Sequence, residues 1–485
     1  MSYLDLSIKE IHEAILKGLV SPKELVLESI KRAKEDTNNA FEYICEKEAL
    51  KEVEELSIEL KDSPLYGIPY VLKDNFSTKD VPTCASSDIL KGYVPVFSSE
   101  VALRLKKAGA ILIGKTTLDE LAMGGSGLSG HKGPTYNPWD PTHTHQVGGS
   151  SCGSAATVAA GIVPLGIGSD TGDSARKPAS YAGLVGFKPS WGRISRFGLF
   201  SFAPSLDHVG YFTRSVEDSA LVLQALAGRD DKDSTSSFEP VENYSFRIND
   251  DVRGKRFVIV KEIYDSISNK TIRDSFEKVV DKLKAQGAVI EEVSLDIKLC
   301  KAIYPTYIII SSSESTSNNA NLDGIKFGPR YEGKNLDEII RKTRTYGLGL
   351  LAKKRFMIGG YSLLKENQED TFIRAQKCRH LIVDKINELF KNYDCIIMPS
   401  APSVAHLIND DSSDKLSLEY LLADNYLAYA NFGGYPSISI PLGMEEGLPF
   451  GVNLTCPIYL ESELFNLAKN IENITGLAGI LANRR

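Results

Sequence analysis

The chain has 485 residues, with 56 Lys and Arg against 63 Asp and Glu, giving a net charge of −7. That length allows a large core and, as a prior, two or three domains, while the acidic balance argues against a surface that grips nucleic acid over its whole extent. The seven cysteines, odd in number and without CxxC or Cys/His ligand spacing, point to reduced thiols and away from disulfides or a zinc site.

Met1-Ser2-Tyr3-Leu4-Asp5 opens no secretory leader, and no stretch approaches the ~18 apolar residues of a membrane span. A cytoplasmic setting, or an organelle of bacterial origin, is therefore expected. Ser7-Ile8-Lys9-Glu10 fits a capping box opening a helix whose Ile8, Ile11, Ile15 and Leu19 share a face. Ser21-Pro22-Lys23-Glu24 opens a second helix with proline at its first position. Residues 1–63 thus read as a helical hairpin packing on the core that begins at residue 64.

From about residue 64 short apolar strands alternate with helices. The strand candidates are Ile68 to Leu72, Ala110 to Ile113, Pro164 to Ile167, Phe257 to Val260 and Cys395 to Met398. Val101 to Ala108 and the small-residue segment Ala155 to Ala160 read as helices between them. This alternation predicts an α/β sheet with helices on its faces. The polar stretch Asp230 to Asp251 reads as a linker or insertion, at about 229–253, between a core at about 64–228 and a remainder that completes the same sheet to residue 485. Asn409 to Asp414 reads as an exposed loop, and Tyr426 to Leu442 as a return to core composition.

Gly109-Ala110-Ile111-Leu112-Ile113-Gly114-Lys115-Thr116 satisfies the expression for a phosphate-binding P-loop. Its intervening residues are apolar, however, and a helix precedes it where the motif needs a strand. It reads as a buried strand.

The chemistry concentrates in Gly148-Gly149-Ser150-Ser151-Cys152-Gly153-Ser154 and Ser169-Asp170-Thr171-Gly172-Asp173-Ser174-Ala175-Arg176-Lys177-Pro178. Both are Gly/Ser-rich turns whose backbone N–H groups can face a cavity. Upstream, Lys73 closes the apolar run Ile68 to Leu72. A serine nucleophile needs a base. With no histidine in these motifs, a desolvated lysine is the natural candidate, because burial lowers its pKa toward neutrality.

In these three motifs the chain resembles the amidase-signature family, which cleaves or transfers amides with a Ser–Ser–Lys triad. The resemblance implies a large mixed β-sheet covered by helices, Lys73 as base, Ser150 as the bridging serine on a cis peptide, and Ser174 as nucleophile. The backbone N–H groups of Thr171, Gly172, Asp173 and Ser174 would form the oxyanion hole, where each donor is typically worth about 2.7–4 kcal/mol. Three residues depart from the family pattern: Asp173 stands where the second glycine of Asp-Thr-Gly-Gly-Ser is usual, Cys152 replaces another glycine, and Lys177 stands where glutamine is common. Asp173 is expected to handicap the site. It adds a backbone penalty of roughly 1–2 kcal/mol if its φ is positive. It also adds a repulsion of nearly 3 kcal/mol at ~6 Å and an effective dielectric of about 20. Outward rotation, or pairing with Lys177 or Arg176, would reduce that repulsion.

Further segments resemble the branch of the family that serves as glutaminase subunit in tRNA-dependent amidotransferases. They include Gly133-Pro134-Thr135-Tyr136-Asn137-Pro138-Trp139-Asp140, Tyr307 to Asn318, Lys354-Arg355-Phe356-Met357-Ile358-Gly359 and Leu422-Ala423-Asp424-Asn425. The resemblance assigns Arg355 to the α-carboxylate of glutamine and Asp424 to its α-ammonium, chemistry that suits a forked guanidinium and a carboxylate. Tyr307 and Gly124 would line the pocket, although Met123-Gly124-Gly125-Ser126 departs from the branch's usual Met-Gly-Ser-Ser. The implied work is hydrolysis of glutamine to supply ammonia for converting Glu-tRNA(Gln) to Gln-tRNA(Gln). No cofactor is expected on this chain. ATP and Mg²⁺ would act on a tRNA-binding, kinase-like partner, which would also hold most of the tRNA. One small accessory subunit would complete a heterotrimer. A free-standing amidase, a catalytically weakened scaffold subunit, asparagine as donor and Asp-tRNA(Asn) as acceptor stay open.

Overall fold

The computed structural model describes residues 2–410 and 417–482. An eleven-stranded sheet organises them. Its strands in chain order are β1 (Phe41–Ile44), β2 (Pro69–Lys73), β3 (Ile111–Thr116), β4 (Leu165–Asp170), β5 (Val185–Lys188) and β6 (His208–Thr213), followed by β7 (Arg256–Val260), β8 (Val289–Val293), β9 (Cys395–Pro399), β10 (Ser437–Glu445) and β11 (Leu448–Thr455). Across the sheet they run β1-β3-β2-β4-β6-β5-β10-β11-β9-β7-β8. The pairs β2–β3, β2–β4, β7–β8 and β7–β9 are parallel and the others antiparallel, so the sheet is mixed, as expected.

Both faces of the central strands are covered. Tyr70 and Leu72 of β2 and Leu112 of β3 enter one apolar cluster, whereas Val71, Ile111 and Ile113 enter another on the opposite face. This two-sided burial makes these strands continuous apolar runs instead of alternating ones, and it is why they stand out in the sequence. The segment predicted from Ala155 to Ala160 is a helix over Cys152–Ala159 with every residue buried. Its small side chains let it lie directly on the sheet: a Cβ on Gly153 would sit 2.4 Å from the carbonyl oxygen of Ala40.

The two N-terminal helices form, with reciprocal capping boxes at Ser7/Glu10 and Ser21/Glu24 opening Ile8–Leu16 and Pro22–Lys34, but the stretch to residue 63 is not wholly helical, because β1 within it pairs with β3 at the sheet's edge. Ile8 and Ile11 are buried, but Leu19 is 60% exposed. The first helix caps at Lys17 and Gly18 turns the chain at φ 68°, so Leu19 leaves the apolar face it was expected to share. The P-loop look-alike contains β3, and Lys115 is buried against Asp74 at 3.2 Å. The segment from 229 to 253 holds no helix or strand, yet it is tethered. Asp230 accepts a hydrogen bond from Ser195 Oγ at 2.6 Å, Asp233 accepts one from the Arg196 N–H at 2.8 Å, and Tyr244 is buried. Of the loop expected at Asn409 to Asp414, positions 411–414 lie outside the described residues. No helix among the described residues is long and apolar enough to cross a membrane.

Candidate active site

Parallel strands β2 and β4 end side by side, and the site is built at their carboxyl ends, where α/β sheets commonly receive ligands. Lys73 is the last residue of β2 and is fully buried. Its Nζ donates to three serine hydroxyls: Ser150 Oγ at 2.7 Å, Ser169 Oγ at 2.9 Å and Ser151 Oγ at 3.0 Å. Burial pushes its pKa down to about 8, only partly opposed by the surrounding acidic groups. The proton inventory of the three serines differs. Ser151 Oγ gives its proton to the carbonyl of Ser169, and Ser169 Oγ accepts a further bond from Asn75 Nδ2 at 3.0 Å. Ser150 Oγ, the closest of the three, has no other described partner. It is therefore the hydroxyl best placed to turn its proton toward a neutral Lys73.

Ser150 follows a cis peptide bond to Gly149 and is itself fully buried. Only glycine fits before it: a Cβ at 149 would lie 2.0 Å from Asp119 Oδ2. Asp119 is a residue that sequence reasoning missed. Its carboxylate accepts the N–H groups of Ser126, Gly127, Leu128 and Ser129 and the Ser129 hydroxyl, folding the Gly-rich loop around itself. Its own N–H donates to the Ser150 carbonyl at 3.2 Å. Gly124, expected on the pocket wall, packs on this carboxylate, since a Cβ there would sit 2.4 Å from Asp119 Cγ. An aspartate just ahead of a Gly/Ser-rich turn is the signal that could have found it.

Ser174 lies in the turn between β4 and the helix Arg176–Ala182 and is 3% exposed. Its carbonyl accepts the Ser151 N–H at 3.3 Å, which ties the two Gly/Ser motifs together. Among the described residues, Ser174 Oγ makes no hydrogen bond, and the Ser150–Ser174 link of the expected relay is not closed. Nor do the N–H groups of Thr171, Gly172, Asp173 and Ser174 have an acceptor among the described residues. These four donors are free to serve a ligand oxygen. The turn is held from beneath by a buried fork in which Arg176 donates to Asp170 at 2.9 and 3.0 Å and to the Gly172 carbonyl at 2.8 Å. Burial acts against the Asp170 anion, but the Arg176 guanidinium outweighs it and holds that carboxyl well below the usual range. Asp207, accepting from Thr171 Oγ1 at 2.7 Å, anchors the turn from the other side. Asp170, Arg176 and Asp207 thus position the turn, roles not assigned from the sequence.

The expected substrate residues fall into two groups around this turn. The ring of Tyr307 covers Gly172, where a Cβ would come within 2.9 Å of it, and the Arg355 guanidinium lies 5.7 Å from the same ring centroid. Arg355 reaches Ser311 Oγ only at 3.5 Å. On the other side, Lys177 Nζ sits 2.9 Å from Asp173 Oδ2 and 3.3 Å from Asp424 Oδ1, and it donates to the Asp424 carbonyl at 2.5 Å. Of the penalties considered for Asp173, the backbone one does not arise, and of the arrangements expected to reduce the charge repulsion, pairing with Lys177 is the one present. Asp173 is not among the described residues with positive φ, and its charge is compensated by Lys177. Arg176, the other candidate partner, is engaged by Asp170, the Gly172 and Leu427 carbonyls and Asn431.

The fold and this arrangement define an amidase: the amidase family profile matches residues 24–465, and the chain belongs to that family. Within it, the chain is 39% identical over 480 residues to the A subunit of glutamyl-tRNA(Gln) amidotransferase from Exiguobacterium sp., covering 98% of each. The corresponding protein from Sulfurihydrogenibium sp. is 39% identical over 476 residues, covering 96% of this chain and 97% of the relative. Among solved structures, the A subunit of the Thermotoga maritima amidotransferase superposes with a TM-score of 0.79 at 33% identity, over 98% of this chain and 95% of that one. The native peptide amidase of Stenotrophomonas maltophilia gives 0.83 at 28% identity, covering 98% of both. Free amidases and amidotransferase subunits thus share this fold.

Proposed function

We propose that this chain is the glutaminase subunit of a tRNA-dependent amidotransferase, with Lys73, Ser150 and Ser174 as its catalytic residues. The contact from Lys73 Nζ to Ser150 Oγ at 2.7 Å, beside the free donors around Ser174, carries the reading. Full-length similarity at 39% identity to a glutamyl-tRNA(Gln) amidotransferase subunit supports the choice of glutaminase over other amidases.

Ser174 Oγ attacks the side-chain carboxamide carbon of glutamine. Its proton passes to Ser150 Oγ as the Ser150 proton passes to Lys73. With a pKa of about 8, Lys73 is neutral in roughly a tenth of molecules at pH 7, enough to act as base. The N–H groups of residues 171–174 receive the oxyanion. The relay then runs in reverse to protonate the departing ammonia, and water hydrolyses the glutamyl ester. Arg355 holds the α-carboxylate, Asp424 the α-ammonium, and Tyr307 and Gly124 shape the wall between. The ammonia is used on a tRNA-binding partner with ATP and Mg²⁺ to amidate Glu-tRNA(Gln), and one small accessory subunit completes the assembly.

A second reading, a free-standing amidase, is favoured by the fit to the peptide amidase. Glutaminase turnover measured with and without partner subunits and charged tRNA separates the two. Stimulation by the assembly supports the first reading. Equal turnover of simple amides by the lone chain supports the second.

A further inference from the structure

Away from the serine site, three metal-ligating side chains from distant segments converge. They are Glu42 on the edge strand β1, Cys84 in the loop after β2, and His131 in the loop before Gly133; one ligand atom from each lies within 4.8 Å of the others. His131 Nε2 is 3.1 Å from Glu42 Oε2 and 3.8 Å from Cys84 Sγ. Zinc–ligand bonds of about 2.0–2.3 Å place tetrahedral ligand atoms about 3.3–3.6 Å apart, so these separations need only small adjustment around an ion.

The surroundings match those of a metal site. The other ring nitrogen, His131 Nδ1, lies 2.9 Å from Asp88 Oδ1, the carboxylate–histidine pairing that orients the ring of a metal ligand and here turns Nε2 toward Glu42 and Cys84. Ser86 Oγ donates to Glu42 Oε1 at 2.6 Å, turning Oε2 toward the cluster. The backbone is fixed as well: the Cys84 N–H donates to Asp74 Oδ2 at 2.7 Å and the His131 N–H to the Ser86 carbonyl at 2.9 Å. The Glu42 side chain is 4% exposed and that of His131 15%, leaving an approach from solvent. Lys132 Nζ sits 3.1 Å from Glu42 Oε2 and donates to the Glu42 carbonyl at 2.8 Å. Its side chain is 40% exposed, so it can swing away. It acts as the counter-charge that a cation would replace.

We propose that Glu42, Cys84 and His131 bind one Zn²⁺, with water as fourth ligand. The thiolate and imidazole select a borderline-soft ion over Mg²⁺ or Ca²⁺, and thiolate plus carboxylate balance its two charges. Binding releases the Cys84 thiol proton and the Nε2 proton that His131 shares with Glu42 to solvent. The ion pins β1 to both loops. Because Asp74 holds the Cys84 loop and directly follows Lys73, the clamp braces the end of β2 from outside the reaction centre. Ligands at positions 42, 84 and 131 have no recognisable spacing, which hides the site from sequence.

The test is a titration of the chelator-treated full chain with Co²⁺, then Zn²⁺. One equivalent of Co²⁺ should give a thiolate-to-metal charge-transfer band that Zn²⁺ abolishes, and Zn²⁺ should raise the Tm. Cys84→Ser and His131→Gln should lose the band while keeping the wild-type circular dichroism. Asp88→Asn should weaken binding about 10- to 100-fold, and Lys132→Ala should tighten it. A wild-type chain without a stoichiometric band, or a band of equal strength in both Cys84→Ser and His131→Gln, overturns the proposal.

Discussion

Asp173 and Lys177, two charged residues where the amidase-signature pattern usually carries glycine and glutamine, are ion-paired at 2.9 Å between the turn after β4 and the start of the buried helix Arg176–Ala182. Asp173 alone would leave a mostly buried carboxylate without a cation, whereas Lys177 pairs with both Asp173 and Asp424. Burial pushes the Asp173 carboxyl up, and Lys177 opposes that shift. Lys177, despite a burial cost, is held well above its usual range by Asp173 and then Asp424. Lys177 thus ties Asp173 to Asp424, the carboxylate proposed to meet the substrate ammonium.

The two positions should behave as one unit. Asp173→Gly alone releases Lys177 onto Asp424, so the glutamine KM rises and kcat does not improve. Asp173→Gly combined with Lys177→Gln frees Asp424 and brings KM back toward wild type. Coupling between contacting charges is commonly about 0.5–3 kcal/mol. Steady-state constants for the two single variants and the double variant check this, and simple additivity would mean that the pair does not tune the pocket.

Lys73→Ala and Ser150→Ala should each lower kcat by orders of magnitude, because the proposed mechanism runs one proton path through their 2.7 Å hydrogen bond. The double variant should be scarcely worse than either single one. Multiplying losses would separate their roles.

Lys73 also predicts pH dependence. The base must be neutral, so kcat/KM for glutamine should rise with pH and level off above about 8. Stability follows the same group. Between about 8 and its ordinary value of 10.5, the unfolded chain binds a proton that the folded chain does not, so the burial penalty is full below 8 and fades as pH rises through that window. A pH–rate profile of wild type should show the rise, and a flat profile from pH 6 to 9 would contradict it.

Arg355→Ala should raise the glutamine KM about 10- to 100-fold, the usual cost of losing a charged hydrogen-bond partner. Hydrolysis of a small amide lacking an α-carboxylate should change far less. Equal effects on both substrates would move Arg355 out of the pocket.

Much of this was legible in the residues. The strands expected at Ile68 to Leu72 and Cys395 to Met398 lie within one residue of β2 and β9, because burial on both faces leaves an uninterrupted apolar signature. Strand β8 was not legible: Val-Ile-Glu-Glu-Val is an edge strand with three of its five residues exposed and none buried, so no apolar run marks it. In the site, the Gly/Ser motifs announced the serines, but the groups that shape them did not announce themselves. Asp119 acts through backbone N–H groups seven to ten residues away, and the Asp170–Arg176 fork reaches Asn431 and Leu427 on a distant segment. Sequence also left three outcomes open for Asp173. The choice of Lys177 follows from Arg176 being engaged by Asp170, Gly172, Leu427 and Asn431, which only the three-dimensional contacts reveal.

In the proposed mechanism Ser174 serves ammonia production alone. In the assembled amidotransferase, Ser174→Ala should abolish glutamine-dependent amidation of Glu-tRNA(Gln) while ammonia-dependent amidation proceeds at the wild-type rate. Equal loss with both donors, or retention of both, would contradict it.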